Sequence, residues 1–178
     1  MQKLSRILSP DLNPHDLIAV APEWRRADFN RAVFYLSGRL KVQGMQTAAL
    51  WFDDAALFAC AILAAWHAGA RVVLPPNLAA ENIGWADDEA DIWLTDVPQY
   101  AAFSGGLNVL DVAACLENMP SEYEPNTQEW QLDAKAQARL KPSGPRGAAQ
   151  SVGKTLAHIH AEAQAFPALL HFPISLFL

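Results

Sequence analysis

Short apolar runs alternating with helical stretches, carboxylates that precede those stretches, and glycines or prolines that follow them assign this chain to the α/β class, a mostly parallel sheet flanked by helices. Runs of this kind are what parallel strands look like when crossover helices cover both of their faces. With 178 residues, 52% of them hydrophobic and 18% charged, the chain has the composition of a packed domain and not of a disordered one.

Asp16 to Ala21 reads as a short buried strand, stopped by Pro22. From Asp28 the period changes. Phe29, Val33, Leu36 and Leu40 recur at helical spacing, Asp28 is the expected N-cap, and Gly44 stands where a helix end needs a left-handed residue. Thr47 to Phe52 is the second strand, after which Asp53-Asp54 offers a cap to a long Ala/Leu/Ile helix ending at His67-Ala68-Gly69. Arg71 to Leu74 is the third strand, closed by Pro75-Pro76-Asn77. A short helix around Leu78 to Trp85 leads to a fourth strand, Asp91 to Thr95, and Leu107 to Val112 is a candidate fifth.

Composition shifts after Leu116. Glu117 to Gln128 is polar, contains Pro120 and Pro125, and reads as a surface linker. Trp130 to Leu140 fits either period; Lys141 to Gly147 is a glycine-containing loop, and about Thr155 to Leu170 is helical. His171 to Leu178 is apolar and strand-like with nothing after it to cover it. The sequence therefore reads as cut inside a longer fold, and the isolated chain is expected to associate with itself through that end.

A net charge of -6 with scattered basic residues excludes extended binding to nucleic acid. Cys60 and Cys115 have neither a Cys-x-x-Cys pairing nor metal-ligand spacing and read as buried free thiols. Met1 to Ser9 lacks the apolar core of a secretory signal, and Ala55 to Ala70 falls short of a bilayer span and is interrupted by His67. A cytoplasmic location is the expectation.

Other constellations read as structural. His158 and His160 point to different helix faces, and a metal pair needs a spacing of three or four. His67 suits the negative end of its helix dipole. Asp87, Asp88, Glu89 and Asp91 read as a solvated acidic patch, and Trp51, Trp66 and Trp93 as core. No serine stands in a Gly-x-Ser-x-Gly setting. Gly147 to Thr155 nearly spells the nucleotide-binding P-loop, with five residues between its glycines where that signature has four.

Leu50-Trp-Phe-Asp-Asp54, the Ala-rich helix, Trp66-His-Ala-Gly-Ala-Arg-Val-Val-Leu-Pro-Pro-Asn-Leu78 and Asp91-Ile-Trp-Leu-Thr-Asp96, in that order, resemble the opening subdomain of the adenylate-forming superfamily. That superfamily contains acyl-CoA synthetases, peptide-synthetase adenylation domains and luciferases. The likeness runs from about Asp16 to Gln164. It implies an α/β subdomain over 1–116, a linker over 117–128, and the start of an AMP-binding core over 129–178.

In the family a Ser/Thr/Gly-rich loop ending in Pro-Lys closes around phosphate, because small residues let backbone N–H groups approach its oxygens. The matching stretch is Lys141 to Gln150, where Ser143, Gly144 and Gly147 keep the pattern. Arg146 and Lys154 are the cations that would add charge. These five residues form the candidate cofactor-binding set. Pro142 and Pro145 remove amide donors, and Gln150 stands where the family has its loop lysine.

The implied cofactors are ATP and Mg2+, and the implied partners are a carboxylic acid and a thiol acceptor, either CoA or a carrier protein. No stretch matches the family's aromatic-Gly-x-Thr-Glu adenine motif, its ribose-binding aspartate or its late catalytic lysine. The resemblance thus assigns no catalytic residue and no metal ligand here, and the chain alone is expected to be inactive. Two other readings stand beside it: a non-enzymatic α/β interaction module, and a P-loop NTPase using Lys154.

Overall fold

The computed structural model describes residues 6–20, 23–99, 106–126, 130–141 and 151–170, the last five by backbone alone. The strand-like run 171–178 lies outside the described residues, as does the loop 142–150.

The core is a six-stranded sheet in the order β6-β5-β3-β4-β7-β8, built from β3 (Thr47–Trp51), β4 (Arg71–Leu74), β5 (Ile92–Thr95), β6 (Asn108–Asp111), β7 (Gln137–Leu140) and β8 (Val152–Thr155). The first five run parallel, and β8 alone is antiparallel, to β7. The α/β expectation therefore holds. The helices are α1 (Arg26–Val42), α2 (Ala55–His67), α3 (Ala80–Glu89), α4 (Val112–Glu117) and α5 (Leu156–Leu170).

Strand alternation sends side chains to two faces. Ala48, Leu50, Val72, Ile92, Leu94 and Ala138 join the larger core with α1 and α2, while Ala49, Val73 and Trp93 meet Ile83 and Ala86 of α3. Within α1, Phe29, Val33, Leu36 and Leu40 are all buried, as their spacing requires. Each such side chain contributes about 1.5–3 kcal/mol by leaving water.

Helix ends follow local chemistry. Asp54 Oδ1 accepts from the amides of Ala56 (2.7 Å) and Leu57 (2.8 Å), which makes it the cap of α2. At the other end Gly69, at φ 85°, donates to Trp66 O, and Ala70 donates to Ala65 O; this is the paired closure that a left-handed residue permits. The first helix differs from expectation. It begins at Arg26, and Asp28 lies inside its first turn, where its charge favours the positive end of the dipole without capping it.

Strand β5 grips β3 at both ends. Asp91 Oδ2 accepts from the amides of Gln46 and Thr47, both at 2.9 Å, and Asp96 accepts from the amides of Asp53 (3.0 Å) and Asp54 (2.8 Å). The two carboxylates of Asp91-Ile-Trp-Leu-Thr-Asp96 are thus staples across the parallel pair. The acidic patch is correspondingly not a merely solvated surface. Besides Asp91, Asp87 accepts from Trp93 Nε1 at 2.7 Å, and Glu89 pairs with Arg139.

The linker is docked. Arg31 of α1 donates to the carbonyls of Tyr123 (2.9 Å), Pro120 (2.6 Å) and Ser121 (2.5 Å), and Tyr35 meets Tyr123 edge-on at 5.2 Å. Beyond it the chain enters the same sheet: β7 lies beside β4, and Trp66 Nε1 donates to Gln137 O at 3.0 Å. The first apolar run does not become a core strand. Leu17–Val20 forms β1, which pairs with β2 (Glu23–Arg25) in an antiparallel ribbon that leaves Leu17 50% and Val20 79% exposed. The ribbon meets α1 through Trp24, which packs edge-on against Phe29 at 5.7 Å, and two strands alone cannot cover the apolar residues of β1. Among the described residues no helix is long and apolar enough to cross a membrane.

Because Asp54 caps α2 through its side chain while Asp53 takes part through its backbone, their substitutions separate. Asp54→Ala is expected to lower unfolding stability by about 1–2 kcal/mol in urea titration, and Asp53→Ala to stay within about 0.5 kcal/mol.

Candidate functional site

A parallel sheet gathers the carboxyl ends of its strands at one edge, and ligands of open α/β sheets bind there, at the point where strand order reverses. In this chain the reversal centres on β3, with β4 on one side and β5 on the other. That crevice is occupied by the protein's own groups. Asp54 takes the amides of the first turn of α2, and Asp96 takes those of Asp53 and Asp54. Amide donors spent on carboxylates are not offered to a phosphate, and the negative charge would repel one.

A second connection on this edge is that between β7 and β8. Strand β7 runs parallel to β4, Leu74 beside Leu140, so it ends at the carboxyl edge, and Leu140 pairs with Val152 on the return strand. The loop that resembles a phosphate cradle therefore leaves and re-enters the sheet at that edge. Ser143, Gly144, Arg146 and Gly147 lie on it, outside the described residues.

Lys154, the fifth candidate, is on β8 opposite Ala138, and its ammonium is held by Glu162 of α5 at 2.8 and 2.7 Å. Gly153, Lys154 and Thr155 are strand residues that run directly into α5, whereas a P-loop needs that triplet on the turn that opens the helix. The helical expectation from Thr155 is met by α5; the strand just before it was not anticipated.

Two groups that spacing alone did not single out flank the loop. Arg139 bridges Glu89 of α3 and Ser151, whose Oγ it reaches at 2.6 Å, and Lys141 lies 5.8 Å from the centre of the Trp85 ring with its ammonium 3.4 Å from Glu81 O. The available signal was alternation. Arg139 on β7 and Lys141 just after it are two residues apart, and Glu81, Trp85 and Glu89 recur every four residues on α3.

Whether these residues suit a nucleotide triphosphate follows from their partners. All three cations that flank the loop in sequence, Arg139, Lys141 and Lys154, are already engaged by the fold. The described residues do not fit a triphosphate that needs its charge neutralised at this edge. Elsewhere, His67 Nδ1 lies 2.7 Å from Ser37 Oγ, but Ser37 is 1% exposed, so the pair joins α1 to α2 and offers no nucleophile. A hollow of about 680 Å³ lined by Gln46, Asp91 and Asn108 opens at the opposite, amino edge.

No family model and no curated protein matches the sequence. Solved structures do match the fold. o-Succinylbenzoate CoA synthetase (MenE) from Bacillus subtilis, in complex with its acyl-adenylate intermediate, superposes with a TM-score of 0.73 at 17% identity, over 97% of this chain and 47% of that one. Apo MatB from Rhodopseudomonas palustris gives 0.68 at 15% identity, over 96% and 38%. The N-terminal subdomain of NpsA from Klebsiella oxytoca gives 0.60 at 19% identity, over 75% and 36%. The chain thus has the fold of the N-terminal portion of adenylate-forming enzymes and spans less than half the length of these structures.

The cysteines do not contribute a reactive thiol. Burial pushes the Cys60 thiol up, and the nearby Cys115 adds to it. Cys115, half-buried and not fully enclosed as expected, is also pushed up by burial, with Arg39 pulling it down and Asp111 pushing it up. Thiolate is the reacting form, so both are slow at neutral pH. In native protein a disulfide reagent is expected to label Cys115 more slowly than free cysteine, and Cys60 only after urea unfolds the chain; rapid labelling of Cys60 in native protein would refute the burial assigned to it.

Proposed function

We propose that this chain is the N-terminal portion of an adenylate-forming acid–thiol ligase of the acyl-CoA synthetase type. In this reading Ser143, Gly144, Arg146 and Gly147 form its nucleotide contact. The single observation that carries the reading is the β7–β8 hairpin: its turn, which resembles the family's phosphate loop, is anchored at the carboxyl edge of a sheet whose fold matches enzymes solved with acyl-adenylate, AMP and ATP. The substrates are then a carboxylic acid and a thiol acceptor, CoA or a carrier protein, with ATP and Mg2+ as cofactors of the whole reaction.

This stretch contributes scaffold and phosphate contact, not chemistry. It holds no counterpart of the adenine motif, the ribose-binding aspartate or the late lysine, so the isolated chain neither adenylates an acid nor transfers an acyl group. Adenylation depends on neutralising charge at the phosphates. Pro142 and Pro145 remove two amides from the loop, Gln150 replaces its lysine, and Lys154 is turned toward Glu162. Arg146 is the cation left on the loop itself.

One observation favours a second reading, a non-enzymatic α/β interaction module. The engagement of Arg139, Lys141 and Lys154 within the fold is what a scaffold relieved of phosphate binding would have.

Titration calorimetry separates the two. The isolated chain is expected to bind Mg-ATP with a Kd weaker than about 1 mM. Gln150→Lys, which returns charge to the loop, is expected to tighten binding about tenfold, equivalent to about 1.4 kcal/mol. Loss of that gain when Ser143 and Gly144 are also replaced would support the loop as the contact. Equal, undetectable binding by all variants would favour the interaction module.

A further inference from the structure

The contacts around Arg139 and Lys141 serve neither the sheet ladder nor the apolar core. On α3, Glu81, Trp85 and Glu89 follow at intervals of four and so lie along one stripe of the helix. Arg139 on β7 and Lys141 directly after it are two residues apart and so share one side, opposite to Ala138 and Leu140, which pack in the larger core. Helix stripe and strand face meet at two points. Arg139 pairs with Glu89, and Lys141 lies over the Trp85 ring with its ammonium near Glu81 O.

Arg139 makes a second contact, from its other terminal nitrogen to Ser151 Oγ at 2.6 Å. Ser151 directly precedes β8, and Lys141 directly follows β7. The two residues that bound the loop 142–150 are therefore tied to α3, one directly and the other through Arg139.

We propose that Arg139 and Lys141 are positioning residues, which tie the facing ends of β7 and β8, Lys141 and Ser151, to the Glu81–Trp85–Glu89 stripe of α3. The functional meaning rests on the nucleotide-contact reading; the clamp itself does not. β8 is an edge strand, joined to the sheet by an antiparallel ladder four residues long and, at its Thr155 end only, by the amides of Leu156 and Ala157 on Ala136 O and Ala134 O and by the burial of Leu156. A short edge pairing of that kind opens easily, and the clamp adds a side-chain tie from α3. The Arg139–Glu89 pair is suited to this, because both side chains are about two-thirds withdrawn from solvent, at 31% and 27% exposure. A pair placed so is screened less than one on the open surface.

Amide hydrogen exchange on the 178-residue chain, without nucleotide, tests the clamp. Arg139→Met is expected to speed exchange of the β7–β8 ladder amides, residues 137–140 and 152–155, by about fivefold or more, while β3 and β5 exchange as before. The charge-swapped double variant Arg139→Glu/Glu89→Arg, which can remake the pair, is expected to recover most of the protection that Arg139→Glu alone loses. Unchanged exchange in Arg139→Met, or a double variant no better protected than Arg139→Glu, would overturn the proposal. Faster exchange throughout β3 and β5 as well would also overturn it, because the residue would then be supporting the whole fold. ATP titration of the same proteins reports on the nucleotide reading separately, so failure of one is not mistaken for failure of the other.

Discussion

The parallel pairing of β7 with β4 is the constraint on which the architecture turns. It brings residues beyond the linker into the sheet begun by β3 and β4, with Val72, Val73 and Leu74 beside Ala138, Arg139 and Leu140. Direction matters as much as adjacency. A parallel β7 must deliver the following loop to the edge where β3, β4 and β5 also end; an antiparallel one would deliver it to the far side of the domain. The pairing is secured from both faces of the sheet, by buried Ala138 and the Trp66 indole on one and by the Arg139–Glu89 bridge on the other. The long connection back to this slot is in turn held by Arg31, whose guanidinium gathers three carbonyls of the turn at 120–123.

Charge is disposed along the carboxyl edge in a way that opposes a polyanion. At the centre, Asp54 and Asp96 consume the amides that a helix N-terminus and strand ends would otherwise present. Among the described residues toward β7 and β8, Arg139 and Lys141 are engaged by α3, and Lys154, farther from that edge beside Ala138, pairs with Glu162. A pair of this kind costs desolvation and side-chain freedom, which its Coulomb attraction only partly offsets, so its value here is better sought in placement than in stability.

Most of the central sheet was legible in the residues because its signals are local. Capping by Asp54, the left-handed glycines at 44 and 69, and the apolar runs of β3, β4 and β5 depend on neighbours a few positions away. What escaped depends on distant partners. The apolar Leu17–Val20 run has the composition of a buried strand, but burial requires a cover over its apolar residues that two strands alone cannot provide. Gln137–Leu140 carries Arg139 among its four residues and fits either period, since its strand identity comes from β4 and β8. Val152–Thr155 carries no local strand signal of its own, and it is a strand through its pairing with β7. The acidic run at 87–91 showed its charge but not its targets, which are the Trp93 indole, Arg139 and the amides that start β3. For the candidate site, the loop was picked out by the family resemblance alone, and the contacts of Arg139 and Lys141 that flank it were visible only once α3 and β7 were brought together.

Interstrand nuclear Overhauser effects between β4 and β7 test the central claim most directly. The account predicts backbone contacts in parallel register, Val72 with Ala138 and Leu74 with Leu140, together with antiparallel contacts of Leu140 with Val152. Contacts that pair β7 with β4 in the antiparallel sense, or none between the two strands, would put the loop at another edge and contradict it.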